Sequence, residues 1–195
     1  MKLVLASTSP RRAEVLQAAG FSFQVLSSAV DETPVPGETP QNLVRRLALA
    51  KAELVAARAV GPVIVLAADT IVELEGRAFG KPRSTEDARA MLEQLSGRTH
   101  AVHTGVVLIR LPDAENREAV ETTLVTFARL QSREILEYLA SGEPFDKAGA
   151  YAIQGHAGRF ITRIEGCYFN VVGLPLARVY ALMRELGWNE GEEPM

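Results

Sequence analysis

Apolar and polar positions recur with the periods of strands and helices along most of the chain. Lys2 to Ala6 is a short aliphatic run that reads as a strand. Pro10 and Gly20 bracket a helix over Arg11 to Ala19, with Val15, Leu16 and Ala19 at helical spacing. Phe21 to Leu26 predicts a second strand, and Ser27 to Glu38 a polar, proline-bearing loop. Thr39-Pro40 opens a helix over Asn42 to Ala59, with Leu43, Leu47, Ala50 and Leu54 on one side and Arg45 and Lys51 on the more polar face. Pro62 to Ala68, PVIVLAA, is the continuous apolar run of a strand covered on both faces, and Asp69 ends it.

Thr70 to Leu74, Glu75-Gly76 and Arg77 to Phe79 read as a hairpin, followed by Gly80-Lys81-Pro82. Ser84 or Thr85 caps a helix through Leu95, with Ala88, Met91, Leu92 and Leu95 three and four apart. Thr99 to Leu111 and Ala119 to Ala128 are long strand candidates joined by the charged turn PDAENRE, and Ser132 begins a helix through Ala140. Phe145 to Gly158 is too irregular to assign; Arg159 to Ile164 reads as a short strand and Gly173 to Leu186 as the last helix. Strands alternating with helices, plus a long hairpin, predict an α/β fold on a mixed sheet. One domain is expected over residues 1–187, with 188–195 an exposed acidic tail.

Composition narrows this picture only a little. With 195 residues, 47% hydrophobic and 23% charged, the chain is long enough to bury a sizeable core without disulfides or a structural metal. Cys167 is the single cysteine, which excludes an intrachain disulfide or a zinc cluster, and it reads as packing. A net charge of −3 argues against a long nucleic acid as a stable partner. The opening MKLVLA is too short for a signal peptide or a membrane span, so a cytoplasmic protein is expected.

Candidate chemistry lies in a few polar clusters. Ser7-Thr8-Ser9-Pro10-Arg11-Arg12 offers hydroxyls, a helix N-terminus and fork-shaped donors, which suit phosphoryl oxygens. The same residues also describe a capped helix with two solvated arginines. Asp69 is a carboxylate delivered by an apolar strand to the end of a sheet, where α/β ligands gather, or it caps the next turn. Burial would raise its pKa and a nearby Lys or Mg²⁺ would lower it, and sequence does not choose. Glu32, Lys51, Lys81 and Gln154 each read as ordinary surface residues when taken singly. Together with Asp69 and the arginine pair they form the inventory of metal-assisted phosphoryl chemistry: carboxylates for a divalent ion and a water, cations for phosphates, an amide for a base edge. His100, His103 and His156 lack the helical spacing of zinc hydrolases, and the chain has no Walker A loop, G-x-S-x-G elbow or G-x-G-x-x-G fingerprint.

The ordered blocks LASTSPRR from Leu5, Asp31-Glu32-Thr33, Lys51-Ala52, Ala68-Asp69-Thr70, Gly80-Lys81-Pro82, Leu95-Ser96-Gly97, DKAGAYAIQG from Asp146 and Val172-Gly173-Leu174-Pro175 resemble the Maf family of nucleotide pyrophosphatases. The resemblance covers residues 3 to 186. It implies a long twisted mixed sheet flanked by helices, with two lobes around a cleft, similar to the inosine triphosphate pyrophosphatases, and commonly a homodimer. It also implies cleavage of a nucleoside triphosphate between the α and β phosphates with Mg²⁺ or Mn²⁺. Carried onto this chain, the general base falls on Asp69 and a metal-binding acid on Glu32, with Asp69 sharing the metal. Ser7, Arg12, Lys51 and Lys81 fall where the triphosphate is held, and Arg11, Thr70 and Gln154 where substrate branches differ. Arg, Thr and Gln at those positions resemble the branch that takes thymidine and uridine triphosphates, and the expected role includes limiting incorporation of modified nucleotides. A different class of reading is a nucleotide-binding regulator of cell division, since the family was first tied to inhibition of septum formation. The complete polar set favours an enzyme, because a pure binder has little physical need of both Asp69 and Glu32 beside a triphosphate.

Overall fold

The computed structural model of the chain describes residues 1–189. Its centre is a seven-stranded mixed sheet in the order β2-β1-β3-β5-β6-β7, formed by β1 (Lys2–Ala6), β2 (Phe23–Leu26), β3 (Val63–Leu74), β5 (Thr99–Arg110), β6 (Glu115–Phe127) and β7 (Ile161–Glu165), with β4 (Arg77–Phe79) paired to β3. The helices are α1 (Pro10–Ala18), α2 (Pro40–Ala56), α3 (Thr85–Leu95), α4 (Ser132–Ala140), α5 (Tyr168–Val172) and α6 (Leu176–Glu185). Strand β1 runs parallel to both β2 and β3, whereas β3, β5, β6 and β7 are successively antiparallel. None of the helices is long and apolar enough to cross a membrane among the described residues.

Strand β3 joins two lobes. Its first residues pair with β1 as far as Ala67, and its last pair with β4 from Val72 onward. Residues 68 to 71 therefore lie where one neighbour has ended and the next has not begun, while the other edge of β3 stays paired with β5 throughout. Such a gap opens a cleft across a strand that remains rigidly held. The period-2 pleat distributes the core accordingly. Ile64, Leu66 and Ala68 face one side with Leu3, Leu5, Leu16 and Leu182; Val63, Val65 and Ala67 face the other with Val4, Ala48, Ala52 and Val55 of α2. The second lobe is a separate cluster in which Val72, Leu74 and Phe79 meet Leu92 and Leu95 of α3 and Tyr138 of α4.

Helix α2 lies unusually close to the sheet. A Cβ on Gly105 would run into the Val44 carbonyl oxygen and lie 2.6 Å from its carbon and 2.8 Å from Arg45 N. Gly105 is the β5 partner of Asp69, so this close approach seats α2 directly over the cleft strand.

Several boundaries differ from those that periodicity predicts. Strand β3 does not end at Asp69, because that carboxylate is compensated by a cation from α2 and the ladder runs on to Leu74. The turn after β5 is shorter than PDAENRE. Arg110 already pairs with Glu115, and Asn116, Arg117 and Glu118 are strand residues on a half-exposed stretch that carries no apolar alternation. The last helix starts at Leu176 rather than Gly173, and a short helix, α5, precedes it where periodicity predicts none. Gly173, with φ 118°, ends α5 in the left-handed region, and Pro175 forces a fresh start before α6. Trp188 does not belong to an exposed tail, since it packs onto the α6 side of the core with its ring 6.3 Å from Phe21. The remainder of the acidic tail, residues 190–195, lies outside the described residues.

Candidate active site

The pleat that sorts the core also sorts the polar residues at the gap in β3. Counting on from Val63, Val65 and Ala67, Asp69 falls on the α2 side; counting from Ile64, Leu66 and Ala68, Thr70 falls on the α1 side. Asp69 accordingly meets Lys51 of α2, with Nζ to Oδ1 at 2.6 Å, and Thr70 meets Arg12 of α1, with Nη2 to Oγ1 at 3.2 Å. Lys51 is not on the polar face of its helix. It lies four residues beyond Leu47 and eight beyond Leu43 on the buried stripe, and its side chain is only 10% exposed. Leu54, placed by periodicity on the inner side, is exposed instead.

A second carboxylate reaches the same ammonium. Glu32, on the loop after β2, accepts from Lys51 Nζ at 2.6 Å through Oε1. Lys51 thus bridges one buried and one half-exposed acid, and both carboxylates are drawn to one point at the cleft wall.

Arg12 is fixed from three directions. Nε donates to the Gly173 carbonyl at 2.9 Å, Nη1 to Ser7 Oγ at 3.3 Å and Nη2 to Thr70. Ser7 is buried at the end of β1 and also accepts from Ser9 N at 3.1 Å. The Ser9 hydroxyl makes no cap bond, so the first turn of α1 is held by Ser7 rather than by its own cap residue. Two arginines in that turn oppose the helix dipole, and each has its compensation. Arg12 has carbonyl and hydroxyl acceptors, and Arg11 donates to Asp146 Oδ2 at 3.0 Å across the cleft.

Ser7, Arg11, Arg12, Glu32, Lys51, Asp69, Thr70, Lys81 and Gln154 all line a single cleft of about 670 Å³. The structure brings together every position singled out by sequence. It adds residues that sequence reasoning passed over. Asp146 and Lys147 also line the cleft, and Asp146 accepts from both Arg11 and Lys147. They were visible as the only charged members of an otherwise small-residue loop. Thr104, fully buried on β5, shares a 2.9 Å hydroxyl contact with Thr70 and donates to the Asn170 carbonyl, and no sequence signal marked it.

Charge at the site is unevenly balanced. Burial pushes the Asp69 carboxyl above its ordinary range, against the opposing pull of Lys51 and Arg12. For Glu32 burial acts in the same upward direction, but the hydrogen bond and charge of Lys51, aided by Lys81 and Arg12, outweigh it and leave the carboxyl below its usual value. Burial lowers the Arg12 guanidinium from its normal pKa, partly offset by Asp69. A carboxyl with its pKa raised in a desolvated wall, beside one held below its usual value, is the kind of separation that acid–base chemistry uses.

The sequence model for Maf-like proteins matches residues 2–186. The chain belongs to the Maf family. It is 51% identical over 189 residues to the dTTP/UTP pyrophosphatase of Anaeromyxobacter dehalogenans (strain 2CP-C), covering 96% of this chain and 95% of that one. It is 49% identical over 188 residues to the dTTP/UTP pyrophosphatase of Carboxydothermus hydrogenoformans, covering 96% and 100%. Among solved structures, the Staphylococcus aureus Ham1 protein superposes with a TM-score of 0.51 at 17% identity, covering 95% of this chain and all of that one. That likeness is one of fold, and it agrees with the expected inosine triphosphate pyrophosphatase-like sheet and cleft.

Proposed function

We propose that this Maf protein hydrolyses dTTP and UTP to the nucleoside monophosphate and pyrophosphate. The observation that carries the reading is the cleft itself: Arg11, Thr70 and Gln154 line the same wall system as the Asp69–Lys51–Glu32 cluster. The names of the relatives just described support it, because they match nearly the whole chain at about half identity.

In the proposed reaction, a water oxygen bonds to the α phosphorus as the bond from that phosphorus to the α–β bridging oxygen breaks. Asp69 accepts the proton of the attacking water, and pyrophosphate leaves. The raised pKa of Asp69 makes it a better proton acceptor than an exposed aspartate, and its place within a paired strand fixes its direction. Lys51 holds Asp69 and Glu32 facing the cleft. Arg12, already oriented by Ser7, Thr70 and Gly173, has Nη hydrogens left over for phosphoryl oxygens, and Lys81 sits on the facing lobe. Glu32 and Asp69 fit a divalent ion of the Mg²⁺ or Mn²⁺ kind, which commonly takes one or two carboxylates and completes its shell with substrate phosphates and water. When bound, it supplies positive charge to the phosphate chain. A cytoplasmic homodimer acting on free nucleotides completes the proposal; sedimentation and cell fractionation test those parts.

The deciding experiment is product analysis with a nucleotide panel and Mg²⁺ on the wild type and Asp69→Asn. Pyrophosphate with monophosphate from dTTP and UTP, and a fall of roughly 10²-fold or more in kcat for the variant at unchanged nucleotide affinity, are the expected results. Stepwise release of orthophosphate would overturn the cleavage position. A variant within threefold of wild-type kcat would place the base elsewhere.

A further inference from the structure

Gln154 is exposed to the cleft and sits in a tight turn closed by Gly155 N to the Ala152 carbonyl at 3.2 Å. An amide on an exposed side chain can read a base edge only if its backbone is held, because a long flexible side chain on a mobile turn loses the directionality of its hydrogen bonds. The support comes from outside the turn. Glu143, in the 3₁₀ turn after α4, accepts from His156 N at 2.9 Å through Oε2 and from the Tyr138 hydroxyl at 2.8 Å through Oε1. Its carboxylate lies directly against Gly155, where a Cβ would collide with both carboxylate oxygens. Its own carbonyl accepts from Lys147 Nζ at 2.8 Å. One residue therefore ties the buried Tyr138 of α4, the cleft residue Lys147 and the two residues that follow Gln154.

We propose that Glu143 is a positioning residue for nucleobase selection: its carboxylate pins the Gly155–His156 backbone and so aims the Gln154 amide into the cleft. This rests on the reading of Gln154 as the base-contacting amide. Glu143 need not touch the nucleotide. Burial alone would raise its carboxyl, yet the His156 N–H and the Tyr138 hydroxyl hold it below the usual range, so it stays an ionised acceptor at neutral pH. Gly155 matters for the same reason, since only a residue without Cβ lets the carboxylate close on the turn.

The test compares kcat/KM for UTP and CTP, whose bases differ in the donor and acceptor pattern an amide reads. In Glu143→Ala the UTP-over-CTP ratio should fall about tenfold, as in Gln154→Ala, with the double variant no worse than Gln154→Ala alone. Competitive inhibition by pyrophosphate, which reports only the phosphate subsite, should stay within about twofold in the same variants. Gly155→Ala should reproduce the loss with Glu143 present, and Glu143→Gln, which keeps one acceptor for His156 N, should restore most of the ratio. Glu143→Ala also strands the buried Tyr138 hydroxyl, so the comparison is repeated in Tyr138→Phe. There the stability loss should shrink while the selectivity loss persists. A uniform fall for all nucleotides at unchanged ratio, or losses that add in the double variant, would overturn the positioning role. An unchanged ratio in Gln154→Ala itself would overturn the base-reading role beneath it.

Discussion

Lys51 Nζ lies 2.6 Å from Asp69 Oδ1, with the two side chains only 10% and 12% exposed. A pair so far withdrawn from water is costly to break, because the survivor is left charged and desolvated. Lys51→Met should destabilise the protein by roughly 3 kcal/mol, read as a shift in urea midpoint at constant slope. Adding Asp69→Asn to Lys51→Met should recover much of that stability without recovering turnover. Equal losses in the single and double variants would show that the ion pair is not what Lys51 contributes.

The same pair shows what could and could not be read from the chain. Asp69 was legible because an apolar run delivers it to the sheet, and Lys51 only as one member of a collective polar inventory and through family resemblance. Its burial stripe with Leu43 and Leu47 was present in the spacing, but residue type suggested solvent, and a tertiary partner 18 positions away decided otherwise. Periodicity likewise stopped β3 at Asp69, since nothing local announces that the charge will be neutralised. The Gln154 loop was illegible for a different reason. Its 3₁₀ turns at Glu143–Asp146, Ala148–Ala150 and His156–Phe160 are too short to show a period, and what shapes them is contact with Tyr138 and Val72.

Metal use should follow Glu32 more than base preference does. With Mg²⁺ or Mn²⁺ present, turnover is expected, and excess chelator should abolish it without unfolding the chain. Glu32→Gln should raise the Mg²⁺ concentration needed for half-maximal rate by about tenfold, while the ranking of dTTP and UTP over other nucleotides is kept. Full turnover in excess chelator, or an unchanged Mg²⁺ requirement in Glu32→Gln, would refute this assignment.

Acid should loosen the second lobe through His100. The ring is buried against Phe127 and Tyr151, with Nε2 2.8 Å from the Tyr151 hydroxyl, and burial lowers its pKa to about 4. The unfolded chain takes up a proton near 6.5 that the folded chain refuses until about 4. Stability from this group is therefore complete above pH 6.5 and is lost as pH falls toward 4, by about 1.4 kcal/mol per unit within that window. Between pH 7 and 5.5, before most carboxylates titrate, the wild type should lose roughly 1 kcal/mol that His100→Gln does not lose. Parallel urea midpoints for the two proteins over that range would exclude His100 as the group responsible.

Gly105 joins packing to chemistry. The strand partner of Gly105 is Asp69, and the α2 backbone at Val44 and Arg45 occupies the place where a side chain would stand. The obstruction is main chain rather than a flexible side-chain tip, so rotamer change cannot relieve it and the helix itself must move. Gly105→Ala should consequently cost about 1–3 kcal/mol of stability, the usual range for overpacking. The helix that is displaced carries Lys51, seven residues beyond Val44 on the same face, and Lys51 reaches Asp69 and Glu32 at 2.6 Å each. A shift of several tenths of an ångström in α2 is a large fraction of hydrogen-bond tolerance, so the variant should also lose about tenfold in kcat while remaining folded at 25 °C. Ala48→Gly offers the comparison: Ala48 is buried on the same helix, and its loss loosens α2 without pushing it outward. If both variants lose similar stability but only Gly105→Ala loses turnover, the depth of α2 over the cleft sets the Lys51–Asp69 geometry. Equal turnover in the two would mean that Gly105 serves packing alone.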